Sequence, residues 1–105
     1  MLNNSAKTLI LLLLILTACG PSERSIKKEI EKANYCQTAD DCALAARARC
    51  PFGCYVYVNK AEADRIAALI KEYDQAPRMS RCMYGCIGSE GPACINTKCT
   101  PILPE

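Results

Sequence analysis

Eight of the nine cysteines in this 105-residue chain fall between Cys36 and Cys99. That density decides what the chain can become, because a short exported domain that cannot bury a large core uses covalent staples instead. The spacing is C-x5-C-x7-C-x3-C, a long insert without cysteine, then C-x3-C-x7-C-x4-C. The sequence therefore predicts a structural disulfide set drawn from Cys36, Cys42, Cys50, Cys54, Cys82, Cys86, Cys94 and Cys99. Its connectivity cannot be read from spacing alone. The chain has one Phe and no Trp, and much of its apolar content lies in its first residues. A thin core is expected, with the disulfides supplying what it lacks.

The ninth cysteine stands apart. Cys19 ends Leu16-Thr17-Ala18-Cys19, directly after the apolar run Leu9 to Leu16, and the stretch before that run is polar and carries Lys7. These are the three parts of a secretory signal. The run is too short to cross a ~30 Å hydrocarbon core, so it reads as a signal and not as an anchor. The leucine-small-small-cysteine exit resembles the lipobox of bacterial lipoproteins. The resemblance implies cleavage before Cys19, a diacylglycerol on its thiol, and an acyl chain such as palmitate on the new amine. Parity agrees, because an odd cysteine in an oxidising compartment needs a separate fate. Several acyl chains anchor a protein stably where one short chain does not. Gly20 follows where, by the enterobacterial rule, an aspartate would favour the inner membrane. The expected location is the bacterial cell envelope, on the periplasmic face of the outer membrane, with the membrane itself as the first partner through lipid on Cys19.

The chain divides accordingly into a signal at 1–18, a lipidated tether at 19–24, and a single disulfide-rich domain at 25–105. Lys7 is the only charged side chain in the signal, so the formal charge of +2 falls to about +1 in the mature chain, a field too weak to gather nucleic acid.

Ile26, Ile30 and Ala33 repeat at helical spacing among lysines and glutamates, giving an N-terminal helix that packs a narrow stripe on the domain. The clearest helix lies in the insert, at about 60–75. Asn59 is placed to cap it, Glu62 to complete a capping box, and Ile66, Ala67, Ile70 and Tyr73 to form one face, with Pro77 as the stop. That face is expected against the disulfide-bearing layer. Pro51 and Gly53 predict a three-residue hairpin loop on a type I turn between strands at about 44–50 and 54–58. Asn96-Thr97 marks the tip of a second hairpin, in which Cys94 and Cys99 face each other and either pair together or both enter the core. The fold class is small α+β: short antiparallel hairpins, one main helix and an N-terminal helix.

Several chemistries lose their footing. Zinc sites favour C-x2-C and often histidine, and this chain has neither. Thiol redox motifs would show C-x-x-C, and a classical triad needs a histidine base. Asp40-Asp41 reads as a turn that bonds its own backbone, not as a calcium or acid–base pair. Tyr55 and Tyr57, with Phe52 and Tyr84 nearby, form either an aromatic patch or core. Arg47, Arg49, Arg78 and Arg81 read as solvated surface.

The lipobox, Tyr35 to Cys42 with Asp40-Asp41-Cys42, Cys50-Pro51-Phe52-Gly53-Cys54, Val58-Asn59 before a helix, and Ala93-Cys94-Ile95-Asn96 closing at Cys99 together resemble a group of small bacterial lipoproteins with an eight-cysteine cluster domain. The likeness spans residues 35–101 and carries no established activity, so it implies class and location only. The expected function is a non-enzymatic binding or interaction module of the cell envelope, without cofactor, with an envelope protein as possible partner and no nucleic acid. The alternative is an inhibitor of an extracytoplasmic protease, presenting a tied loop at Pro51–Gly53 or Ile87–Ala93. A thiol redox or metal-binding protein stands third.

Overall fold

A computed structural model describes residues 21–75 and 85–104. Two helices and two antiparallel hairpins follow one another in a small α+β, disulfide-rich fold. Helix α1 (Glu23–Ala33) begins where Ser22 accepts a hydrogen bond from the Ser25 N–H at 3.1 Å, which satisfies one of the orphan donors of the first turn. Glu23 and Arg24, expected in the tether, thus belong to the helix. Ile26 and Ala33 are fully buried and Ile30 packs beside them, so the narrow stripe docks on the domain as its spacing implies.

A single 3-10 turn (Ala39–Asp41) leads into β1 (Cys42–Arg49), which pairs with β2 (Gly53–Asn59). The register carries a bulge between Leu44 and Ala46. Both strands run longer than expected. Their turn also differs, because the Cys50–Pro51 peptide is cis and the Phe52 N–H donates to the Arg49 carbonyl. Arg49 to Phe52 therefore form the turn, with the proline third as in type VI and not second as in type I. Gly53, at φ +114°, takes a backbone conformation that other residues rarely adopt.

Helix α2 (Ala63–Gln75) starts three residues later than its capping signal suggests. Asn59 is held in β2 opposite Cys42. From there its side-chain oxygen accepts from the Ala61 N–H at 2.9 Å, and its amide donates to the Tyr35 carbonyl at 3.1 Å. The Glu62 carboxylate takes the Arg65 guanidinium at 2.9 Å instead of reaching back. Asn59 ends a strand and turns the chain; the expected capping box does not form.

Alternation along β2 sends Val56 and Val58 to one face and Tyr55 and Tyr57 to the other. Ile66 and Ile70 of α2 meet the valines and Ile26 in an aliphatic core. Burying each such side chain contributes about 1.5–3 kcal/mol. The α2 stripe thus lies on the sheet face opposite the main disulfide cluster, which corrects the expected orientation. The physical reason is the strand's period of two: the valines offer α2 an apolar surface while the tyrosines and Cys42 look the other way. Arg65 bridges the helices through Glu29 at 2.8 Å.

The second hairpin pairs β3 (Pro92–Ile95) with β4 (Lys98–Pro101). Asn96 and Thr97, both at positive φ, form its two-residue tip, the twist that a primed turn requires. Backbone bonds between Ile102 and both Glu90 and Gly91 continue the ladder past the two prolines. Asn34, just after α1, ties this hairpin down. Its amide brackets Cys99, accepting from the backbone N–H at 2.6 Å and donating to the carbonyl at 3.2 Å.

Candidate functional site: the disulfide face

Every described disulfide joins the first cysteine cluster to the second. Cys36 bonds Cys94, Cys42 bonds Cys99 and Cys54 bonds Cys86. Cys50 is disulfide-bonded as well; Cys82 and Cys19 lie outside the described residues. Cys94 and Cys99 sit directly opposite in the hairpin register, so both sulfurs project to one side. Each enters the interior to meet a different partner. The closed loops are long, with separations of 58, 57 and 32 residues. In a chain-entropy account each bond stabilises by roughly 4 kcal/mol, although such contributions do not add fully.

Around this cluster the site is assembled from β1, β2 and the strap that leads into β3. Cys36, Tyr57 and Cys99 are buried together, with Tyr55, Cys42 and Cys94 packed against them. Tyr55 and Tyr57 stack with ring centroids 6.3 Å apart, and the Arg47 guanidinium lies 5.7 Å from the Tyr55 centroid, within cation–π range. The Tyr55 hydroxyl donates to the Ile87 carbonyl. The tyrosines are therefore mostly support beneath the strap. Phe52 leaves them altogether, meeting Tyr73 of α2 edge-on at 5.2 Å; Tyr84 lies outside the described residues. The aromatic patch considered from sequence is split between the two sides of the sheet.

Large apolar side chains nevertheless reach solvent on the strands and loops of this layer. Ile87 is 57% exposed and Ile95 52%. Leu44, opposite Tyr57 in the register, is exposed too, as are Tyr35, Ile102 and Leu103. Among the described residues none of the large exposed hydrophobics belongs to a helix.

The sulfurs of Cys36, Cys42 and Cys99 lie within 4.8 Å of one another. Metal binding needs thiolates, and each of these sulfurs is already bonded to another cysteine. Asp41 turns its carboxylate to the Gln37 N–H at 2.8 Å and the Thr38 N–H at 3.2 Å. Those two bonds, the first above all, hold it below the usual carboxylate range. It fastens the loop that carries Cys36 to β1. Of the arginines, Arg49 faces Asp74 at 3.7 Å, and Arg78 and Arg81 lie outside the described residues.

The two loops considered for presentation differ in kind. In the Cys50–Cys54 turn Phe52 is engaged with Tyr73. Ile87–Ala93 is tied at both ends, by Cys54–Cys86 and Cys36–Cys94, and the Ser89 hydroxyl braces its middle through Gly91 and Ile102. Sequence reasoning passed over Asn34 and Ser89. Both are small polar residues whose roles depend on partners distant in sequence, so no local signal marks them. Compared with protein-family models, with curated proteins and with solved structures, the chain matches none.

Proposed function

We propose that this chain is a lipid-anchored, disulfide-stabilised interaction module of the bacterial cell envelope, held to the periplasmic face of the outer membrane through Cys19. The observation that carries the reading is the exposure of Tyr35, Leu44, Ile87, Ile95, Ile102 and Leu103 on a layer braced by disulfides. Six large apolar side chains left exposed on so small a domain mark surface that another molecule covers. A covalently fixed surface loses little freedom on binding. The partner is an envelope protein that offers an apolar face.

A photo-crosslinking side chain at Ile95, with another at Lys28 on the solvent face of α1 as control, tests this in living cells. A discrete adduct specific to position 95 is expected. Adducts of equal yield and pattern at both positions would contradict it. The anchor is tested separately: labelled palmitate enters the wild-type chain, and Cys19→Ala abolishes labelling.

The bracing of Ile87–Ala93 favours a second reading, inhibition of an extracytoplasmic protease, because a loop held open from both ends fits a cleft without being released after cleavage. A panel of envelope proteases separates the two. Inhibition that Ile87→Glu removes would establish the second.

A further inference from the structure

We infer that the free edge of β1 and the adjoining face of α2 form a groove that takes up an extended, acidic segment of a partner protein as an added strand. Strand β2 covers one edge of β1; among the described residues no strand pairs with the other. An edge strand presents unsatisfied N–H and C=O groups along its length, and these are a template for another chain. Beside this edge lies a groove of about 360 Å³, with Ala45 of β1 and Ala67 of α2 in its walls. The short alanine side chains leave room for a strand to approach. From Ala45 to Arg49 the strand wall runs about 13 Å, and from Ala67 to Asp74 the helix wall runs about 10 Å. Four or five extended residues fill that length.

The charge is one-sided. Arg47, Arg49 and Lys71 border the groove against the single carboxylate of Asp74, which already faces Arg49. All three cations are exposed, and among the described residues Lys71 has no acidic partner within ion-pair distance. A mature chain that is nearly neutral overall thus concentrates positive charge along its open strand edge. A second copy is a poor occupant, because pairing β1 with itself would bring arginines together. A short acidic segment meets both the backbone groups and the charge. Arg47 adjoins both surfaces, since its guanidinium lies over Tyr55, but Ala67 and Lys71 belong to α2, so Lys71→Glu tests the groove without touching the exposed apolar residues of the disulfide layer.

The test uses the full chain purified in a non-ionic detergent and a fluorescent peptide, Thr-Glu-Val-Glu-Val-Thr, followed by anisotropy. Saturable binding is expected. The same peptide with alternate backbone amides N-methylated, and its lysine counterpart Thr-Lys-Val-Lys-Val-Thr, should each bind at least about tenfold more weakly, since one removes strand pairing and the other the charge match. Lys71→Glu should weaken the acidic peptide by a similar factor, with Arg47→Glu as a second variant, while Lys28→Glu on α1 leaves it unchanged. Both substituted positions are exposed, and unchanged circular dichroism confirms that the variants fold. Equal affinity for the N-methylated peptide would show simple ion binding and overturn strand addition. Absence of saturation by about 1 mM, or undiminished binding by Lys71→Glu and Arg47→Glu together, would overturn the groove.

Discussion

Thr97 holds a β-branched side chain at φ +64°, a conformation costing on the order of 1 kcal/mol or more outside glycine. Its carbonyl accepts the Cys36 N–H at 3.0 Å, and that bond uses only backbone. Thr97→Gly should therefore stabilise the domain by about 1 kcal/mol, read as a higher denaturation midpoint. Asn34→Ala should act the other way. It strips both partners from the Cys99 backbone in a half-buried position, and a loss of about 1–3 kcal/mol is expected in the same measurement. Asp41 adds a pH dependence. Its carboxyl pKa is lowered by the Gln37 and Thr38 N–H groups, so its contribution is present above the ordinary carboxylate pKa and disappears as pH falls through the lowered folded value. Asp41→Ala should be less stable than wild type at neutral pH, and the two denaturation curves should converge in strong acid. Persistence of the gap there would rule out the carboxylate as its source.

At the scale of elements, the aliphatic core joins α1, α2 and the valine face of β2. Ile66→Asp or Ile70→Asp puts an unpaired charge into that core and should cost roughly 3 kcal/mol or more. Lys71→Asp, on the exposed side of the same helix, should cost little; equal losses at all three would show the buried face to be misassigned. Both helices, both hairpins and the tip at Asn96-Thr97 were legible in the sequence because their signals are local: isoleucines at helical spacing, alternating Val and Tyr, and turn residues. The start of α2 was not legible. Asn59 and Glu62 match a capping box in sequence, but strand pairing holds Asn59 in β2, its side chain bonds the Ala61 N–H and the Tyr35 carbonyl, and the Glu62 carboxylate takes Arg65 instead. Nor did the sequence reveal which side of the sheet α2 covers, since both faces of β2 are apolar enough to bury and only the placement of Cys42 and the second hairpin decides between them. Of the candidate site, the cysteines stood out and their pairing did not, because spacing leaves connectivity open.

For the whole molecule, the two cysteine clusters close on each other across the insert, so the bonds fix the second hairpin to the first while the helices form a separate core. The same architecture constrains the proposed anchor. Ser22 already caps α1, so a lipid on Cys19 would hold the folded domain within about 11 Å of the headgroups, the reach of three extended residues. Any partner must then be met at the membrane surface. The cysteines give the sharpest test. Cys36, Cys42, Cys54, Cys86, Cys94 and Cys99 are bonded among themselves and Cys50 is bonded too, so a lipidated Cys19 leaves Cys82 as the partner of Cys50. The measurement is the intact mass of the membrane-extracted protein after denaturing alkylation, without and then with reduction. The account predicts no alkylated cysteine before reduction and eight afterwards out of the nine in the sequence, the ninth being blocked as the lipid thioether of Cys19. Any thiol free before reduction, or nine alkylated after it, would contradict the account.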